Sequence, residues 1–248
     1  MDKRTFKEEE FPYYTLEQFG LSQEMIEDLP MNVLEDLKDG RRSPVLPIRV
    51  TDDEGNIIHS RTRFKFYRKE NDMIDVLFYP QLHRCNLEQY SEEEQKSMLD
   101  GKTIVSVSPT GGTGKFFIQI DTETNQVMYI PTPVIGRNLR SLMEHFHLTS
   151  TEIQIIQNGE PVTFLEDEEM VTVGIDLNEK TGIRLVTGDM KRWEQQRNNQ
   201  FNQYNFGLFG CWVKDENGLL DYIHEDDYTD EIWEEQKKVI AKNSAIKR

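Results

Sequence analysis

The chain has 248 residues, of which 45 are acidic and 29 are basic, and its formal net charge is −16. An averaged field of this sign repels phosphate, so it disfavours direct binding to nucleic acid or to anionic lipid. Cys85 and Cys211 are the two cysteines, no stretch approaches the ~20 apolar residues of a membrane helix, and the N-terminal segment lacks a signal peptide, so we expect a cytoplasmic protein with free thiols.

One pattern occurs three times along the chain: a helical segment, a tight turn at an Asp-Gly or Asn-Gly pair, and three short strands. The turns are Asp39-Gly40, Asp100-Gly101 and Asn158-Gly159. Repeated units of one type usually build a surface by stacking. The sequence therefore predicts an α+β fold of tandem helix-plus-three-stranded antiparallel sheet units, followed by a C-terminal helical and hairpin extension. The predicted boundaries are 1–83, 84–133, 134–188 and 189–248.

The first unit should begin with two or three short helices. Thr15 is a predicted N-cap and Gly20 a predicted helix stop, while Ser22 caps the next helix without a full capping box.

Alternation is clear in the strand predicted over residues 57–67, where one face carries Ile58, Ser60, Thr62, Phe64 and Phe66 and the other face is mostly basic. Pairing Phe66 with Ile74 matches the apolar faces of this strand and the next. That register would set Lys65 opposite Asp75 as a cross-strand ion pair.

The second and third units repeat the plan. Ser91 caps the helix of one, and Thr149 or Ser150 caps a helix of the other. The segment around Asp121 matches the segment around Asp176, with one inserted residue, so both are predicted to be polar turns between strands.

Beyond Gly188 the pattern changes to a Gln- and Asn-rich stretch with aromatic residues at regular spacing. Met190, Trp193, Arg197, Phe201 and Tyr204 lie at helical intervals and indicate one amphipathic helix. A hairpin around residues 215–218 and a final helix over 230–242 should follow.

A glycine-rich loop from Pro109 to Phe116 superficially resembles a phosphate-binding loop. Pro109 stands where the first glycine belongs, Phe116 stands where the hydroxyl residue belongs, and a strand follows in place of a helix. We therefore expect a hairpin connection here and no bound nucleotide.

Two short doublets, His83 with Cys85 and His145 with His147, have no partner pair at zinc-site spacing. The acidic clusters at 166–169 and 225–227 do not follow the ligand spacing of a calcium loop and are interpreted as solvated turns. We expect no metal site and no cofactor.

Two groups of residues are candidates for an interaction surface. Arg61, Arg63 and Lys65 form a basic stripe on one strand face, for which a solvated sheet face is the alternative interpretation. The second group is aromatic and is concentrated in the last quarter of the chain, where core packing is the alternative: Trp193, Phe201, Tyr204, Trp212 and Trp233.

Several short runs, together with the Asp121 turn, carry a resemblance to a known family: Leu16–Gly20, Leu34–Gly40, Gln95–Lys102, Pro133–Gly136 and Asn158–Val162. In this order they resemble a recurrent pair of uncharacterised domains found on conjugative and mobilisable elements of anaerobic gut bacteria. The resemblance extends to near Gly188. It implies an accessory protein of mobile DNA, often encoded beside topoisomerases and mobilisation proteins, and it brings no catalytic residues.

These observations favour a non-enzymatic protein-interaction module, an accessory or regulatory protein of a mobile genetic element. Its partner would be another protein, with a DNA-processing enzyme as one candidate. One alternative is an acidic inhibitor that imitates DNA, as the net charge of −16 suggests. Another is an enzyme of unfamiliar type that uses Cys85 or a carboxylate pair.

Overall fold

The computed structural model describes residues 6–107, 114–195 and 201–246, with side chains to residue 242. It confirms the predicted α+β class, because the described residues form helices and four three-stranded antiparallel sheets. In every sheet the strands are neighbours in chain order, so each sheet is a simple meander.

The helices are α1 Tyr13–Glu17, α2 Gln23–Glu27, α3 Met31–Lys38, α4 Glu92–Leu99, α5 Thr132–Phe146, α6 Ser150–Gln157, α7 Met190–Gln195 and α8 Asp230–Ile246. Short 3₁₀ turns cover Glu8–Glu10 and Glu225–Asp227. The first two sheets contain β1 Leu46–Thr51, β2 Ile57–Arg68, β3 Ile74–Pro80, β4 Ile104–Val107, β5 Lys115–Asp121 and β6 Gln126–Pro131. The other two contain β7 Val162–Glu166, β8 Glu169–Ile175, β9 Ile183–Thr187, β10 Tyr204–Phe206, β11 Gly210–Lys214 and β12 Leu220–His224.

The chain divides into two compact units. One contains residues 1–80 together with 199–248, and the other contains residues 81–198. The segment predicted as a C-terminal extension from residue 189 is therefore shared: α7 belongs to the second unit, whereas β10–β12 and α8 belong to the first.

All three predicted Asx-Gly turns end a helix with the same hydrogen bonds. Gly40, Gly101 and Gly159 have φ values of 73°, 78° and 93°, the left-handed region that glycine adopts without steric cost. The N–H of the residue after each glycine donates to a carbonyl five residues earlier, as in a Schellman motif. The predicted stop at Gly20 has the same arrangement, with φ 76°.

Four residues were predicted to cap helices, and one of these assignments is wrong. Ser91 with Glu94 and Thr149 with Glu152 form complete capping boxes, and Ser22 accepts a hydrogen bond from the N–H of Met25. The assignment of Thr15 as an N-cap is wrong. The carbonyl of Pro12 accepts the N–H groups of Thr15 and Leu16, so α1 begins earlier and Thr15 lies inside it.

The predicted register of β2 and β3 is wrong by two residues. Phe66 pairs with Val76 and Tyr67 lies opposite Asp75, so Asp75 faces Tyr67 rather than Lys65. The predicted register would have placed a three-residue turn at residues 69–71. In the structure the three-residue turn lies one position later, because the Lys69 N–H donates to the Met73 carbonyl at 2.8 Å and Asp72 adopts a left-handed φ of 66°. The Lys69 ammonium pairs with Asp75.

Each of four hairpin turns begins with an aspartate whose carboxylate accepts the N–H two residues on. The accepting residues are Asp52, Asp121, Asp176 and Asp215, at 2.9–3.2 Å. The predicted match between the Asp121 and Asp176 segments is therefore confirmed in its geometry.

The first unit has one apolar core, to which its two distant chain segments both contribute. The N-terminal helices and β1–β3 supply most of it, and Trp212 and Leu220 complete it. The indole N–H of Trp212 donates to the Met25 carbonyl at 2.9 Å.

The carboxylate of Asp28, at the end of α2, holds the same two segments together. Asp28 is 4% exposed and accepts hydrogen bonds from the N–H of Leu208 (2.5 Å), the N–H of Phe209 (3.0 Å) and the hydroxyl of Tyr222 (2.6 Å). A Cβ at Gly207 would overlap this carboxylate. Burial, and then the bond to Asp28, raise the pKa of Tyr222 above its usual range.

In the second unit both faces of the β4–β6 sheet are buried. Phe117 and Met128 join one cluster with α5, α6 and the β7–β9 sheet, whereas Ile118 and Ile120 join another with α4. The side-chain oxygen of Gln119, which is buried, accepts the N–H of Leu177 at 2.7 Å. Residues 115–120 were predicted as a strand, and the structure shows this strand covered on both sides.

The predicted amphipathic helix through Tyr204 is wrong in its extent. The described part of α7 covers Met190–Gln195, and Tyr204 lies in β10, where it pairs with Val213. Arg197 falls outside the described residues. Tyr204 has helical spacing from Trp193, but it is in a strand because it pairs with β11.

Among the described residues no helix combines the length and apolar composition needed to cross a bilayer.

We expect Asp28→Ala to lower the free energy of unfolding by about 2–4 kcal/mol, because it leaves buried N–H and hydroxyl donors without an acceptor. Tyr222→Phe, which removes one of these bonds, should cost about 1 kcal/mol. Urea denaturation followed by tryptophan fluorescence measures both. Equal losses in the two variants would contradict a central role for the Asp28 carboxylate.

Substitutions in the turn between β7 and β8 should stabilise the folded protein. Its two central residues, Asp167 and Glu168, have φ values of 47° and 71°, the geometry of a type I′ turn in which Asn-Gly is preferred. We expect Asp167→Asn with Glu168→Gly to raise the free energy of unfolding by about 1 kcal/mol, since glycine removes the left-handed strain at the second position. The matched control is Asp167→Ala with Glu168→Ala, which should give no gain in the same denaturation assay.

Candidate functional site

The basic stripe predicted on β2 divides into two parts. Arg61 is committed within the first unit, since its guanidinium donates to the Leu220 carbonyl at 2.7 Å and to the Asp221 carboxylate at 2.8 Å. Arg63 pairs in register with Tyr79, and Lys65 with Leu77, on the outer face of the sheet. Arg61 therefore joins β2 to β12.

Two of the predicted aromatic residues are almost entirely covered by residues of their own unit. Trp212 is fully buried in the core of the first unit, and Trp193 is buried in the second. Phe201 is partly buried against the same core as Trp212. Core packing, the alternative interpretation, is confirmed for Trp212.

The other two aromatic candidates lie nearer the surface. The hydroxyl of Tyr204 is 3.1 Å from the Glu231 carboxylate, which connects β10 to α8. Trp233 is 36% exposed and packs edge-to-face on Tyr228. Of the five, Trp233 has the ring that is most available for an intermolecular contact.

The thiols occupy environments that oppose ionisation. Burial raises the pKa of the half-buried Cys85, and it raises the pKa of the buried Cys211 to about 11. Since the thiolate is the nucleophilic form, both thiols are poor nucleophiles at neutral pH. No group of three His, Cys, Asp or Glu side chains that could hold a metal ion occurs within the described residues.

The remaining motifs fall on turns. Residues 108–113 of the glycine-rich loop are outside the described ranges, and Lys115 and Phe116 begin β5 as expected. The acidic clusters form the β7–β8 turn and the 3₁₀ turn Glu225–Asp227.

The second unit contains a cleft of about 840 Å³ at the C-terminal ends of α4 and α6. The helix-ending turns Asp100-Gly101 and Asn158-Gly159 both line it, together with the start of β4 and residues of α7. Two of the three repeated sequence signals therefore meet at one surface.

Close backbone approach at Gly159 forms the floor of the cleft. A Cβ at this glycine would fall on the carbonyl oxygen of Thr103, far inside van der Waals contact. Thr103 is buried, and its hydroxyl donates to the Ile175 carbonyl at 3.3 Å. Glycine is thus required at 159 both for its positive φ and for this approach.

Trp193 of α7 forms a wall of the cleft on a rigid support. The Arg184 guanidinium lies 3.7 Å from the centroid of the Trp193 ring and also donates to the Trp193 carbonyl. Arg184 is 3.6 Å from the Asp176 carboxylate, and a Cβ at Gly174 would lie 3.0 Å from the Trp193 ring. The indole is therefore held between a cation and the bare backbone of β8.

The rim of the cleft is acidic. Three acidic residues, Asp100, Glu160 and Glu194, and the basic residue Lys102 line the cleft. All four are exposed. The carboxylates of the three acids make no hydrogen bond or ion pair with another described residue. Because the negative ends of the α4 and α6 dipoles also lie here, the local field favours a cation.

Sequence reasoning did not identify this cleft. It recognised both Asx-Gly turns as helix stops, and it proposed Trp193 for a surface, but nothing in the sequence spacing brings residues 100, 159 and 193 together. Gly159 was the available signal in the sequence, because a helix stop of this kind needs a residue with positive φ. Its close approach to Thr103 could not be predicted, since that contact forms only in the folded unit.

Comparison with known proteins identifies an uncharacterised domain. Residues 6–90 match the model of a family described as a protein of unknown function (DUF4099). The match takes in α1–α3 and the β1–β3 sheet and stops well short of Gly188, to which the predicted resemblance extends. No curated protein matches the chain, and no solved structure does. The prediction of an uncharacterised domain is confirmed for the matched residues.

We expect Gly159→Ala to destabilise the protein far more than Gly55→Ala. Both glycines have positive φ, 93° and 84°, but nothing lies within 4 Å of a Cβ at Gly55. Gly55→Ala should therefore cost about 1 kcal/mol from backbone strain. Gly159→Ala should cost about 1–3 kcal/mol more from the overlap with Thr103, as measured by urea denaturation. Similar costs would show that the floor of the cleft yields to an added methyl group.

Proposed function

We propose that the protein is a non-enzymatic protein-interaction module that serves as an accessory or regulatory protein of a mobile genetic element. The observation that carries the proposal is the cleft of the second unit, whose rim carboxylates have no partner among the described residues. A preformed concave surface with apolar groups in its wall and a polar rim is suited to binding.

The lining of the cleft supports binding over chemistry. Its walls are turns, strand backbone, Pro161, Met190 and Trp193, and its ionisable groups are exposed at the rim. Catalytic acids and bases are typically found where burial or a charged partner shifts their pKa. A groove with an exposed rim and a rigid floor suits recognition better.

The link to mobile DNA is supported by the resemblance of the first two units to domains found on conjugative and mobilisable elements. The match of residues 6–90 to an uncharacterised family is consistent with it. A DNA-processing protein encoded on the same element is the partner class that we favour.

Affinity capture of the tagged full-length chain from its native host tests this function. We expect a co-purifying protein that forms a stoichiometric complex when both partners are purified and mixed, as measured by size-exclusion chromatography with light scattering. An unrelated protein of similar net charge controls for non-specific capture. Failure to recover a stable partner, combined with a measurable turnover, would contradict the proposal and favour an enzyme.

A second candidate, an acidic inhibitor that imitates DNA, is favoured by the net charge of −16 and by exposed acidic turns such as residues 166–169. Such an inhibitor should compete with duplex DNA for a purified topoisomerase or nuclease at low salt, where electrostatic binding is strongest. Absence of competition under those conditions removes this candidate.

A further inference from the structure

We propose that the cleft of the second unit binds an extended, lysine- or arginine-bearing segment of a partner protein. This inference rests on the proposed interaction function and names the chemistry of its partner. Three features of the cleft point to it: its charge, its strand edge and the apolar part of its wall.

Charge selects a cationic occupant. Asp100, Glu160 and Glu194 surround the cleft and lack partners among the described residues, whereas Lys102 supplies one opposing charge. Carboxylates held near the C-terminal ends of two helices add to the negative ends of the helix dipoles. A segment with two or more basic side chains would therefore find acceptors that are not committed elsewhere in the described structure.

A strand edge selects an extended backbone. β4 lies at one edge of its sheet, which has the order β4-β5-β6, and Ile104 and Val105 at its start line the cleft. Edge strands present backbone N–H and C=O groups that an extended peptide can pair with. Alternate side chains of such a peptide point to opposite sides, so basic residues at every second position would face the rim.

Part of the wall of the cleft suits the aliphatic part of basic side chains. Pro161 and Met190, which are partly exposed, line the cleft together with the largely buried Ile175 and Trp193. Lysine and arginine can bury their methylene stems on such a surface while the charged group remains in water. A peptide with acidic side chains would find the same apolar contacts but would be repelled at the rim.

The test uses the full-length protein labelled with ¹⁵N and an acetylated, amidated octapeptide of alternating valine and lysine. We expect binding at 50 mM salt that perturbs the amide signals of Ile104, Val105 and Gly159 and that weakens as salt rises. The same peptide with glutamate in place of lysine should not bind.

Charge-reversal variants test the assignment to the cleft. Glu160→Lys with Glu194→Lys should weaken binding of the lysine peptide at least tenfold, whereas Lys102→Glu should strengthen it several-fold. The matched control is Glu144→Lys, an exposed position on α5 that does not line the cleft, which should change the affinity less than twofold.

Three results would overturn the inference. They are an affinity weaker than millimolar, signal changes spread over the acidic surface without the β4 amides, and equal weakening in the Glu144→Lys control. The outcome also separates this inference from the proposed function. A natural partner captured equally well by wild type and by the Glu160→Lys, Glu194→Lys variant would keep the interaction function and remove the cleft as its site.

Discussion

A glycine in the left-handed conformation at the end of a helix is the constraint on which this protein is built. After Gly40, Gly101 and Gly159 the chain leaves a helix through the same pair of hydrogen bonds and enters a three-stranded meander. An L-residue with a side chain adopts this conformation only at a steric cost, so each glycine sets where a helix stops and where the following strands begin.

The two units use this common plan differently. In the second unit the ends of α4 and α6 lie at one cleft, and Gly159 allows the backbone to reach Thr103. In the first unit the decisive contact is the Asp28 carboxylate, which accepts the N–H groups of Leu208 and Phe209 from a segment far along the chain. Hydrogen bonds between a buried acceptor and several donors are costly to leave unmade, so those of Asp28 favour one arrangement of the two segments.

Where prediction failed, the missing information was non-local. The Asx-Gly stops, the helix caps at Ser91 and Thr149 and the Asp121 turn depend on residues within six positions of one another, and all were predicted. The register of β2 with β3 depends on the position of a three-residue turn that ends at Asp72 with φ 66°, which alternation of apolar residues does not report. Tyr204 has helical spacing from Trp193, yet pairing with β11 places it in a strand.

The same distinction between local and non-local information applies to the candidate site. The sequence by itself determined the α+β class, the helix ends and the surplus of negative charge, because turn chemistry, periodicity and composition are local or additive properties. Only the tertiary structure decided that Arg61 is committed to Asp221, that Trp193 and Trp212 are buried, and that Asp100, Glu160 and Glu194 surround one cleft. The physical reason is that burial and electrostatic proximity depend on distances between residues far apart in the chain, and these distances exist only once the sheets and helices have packed.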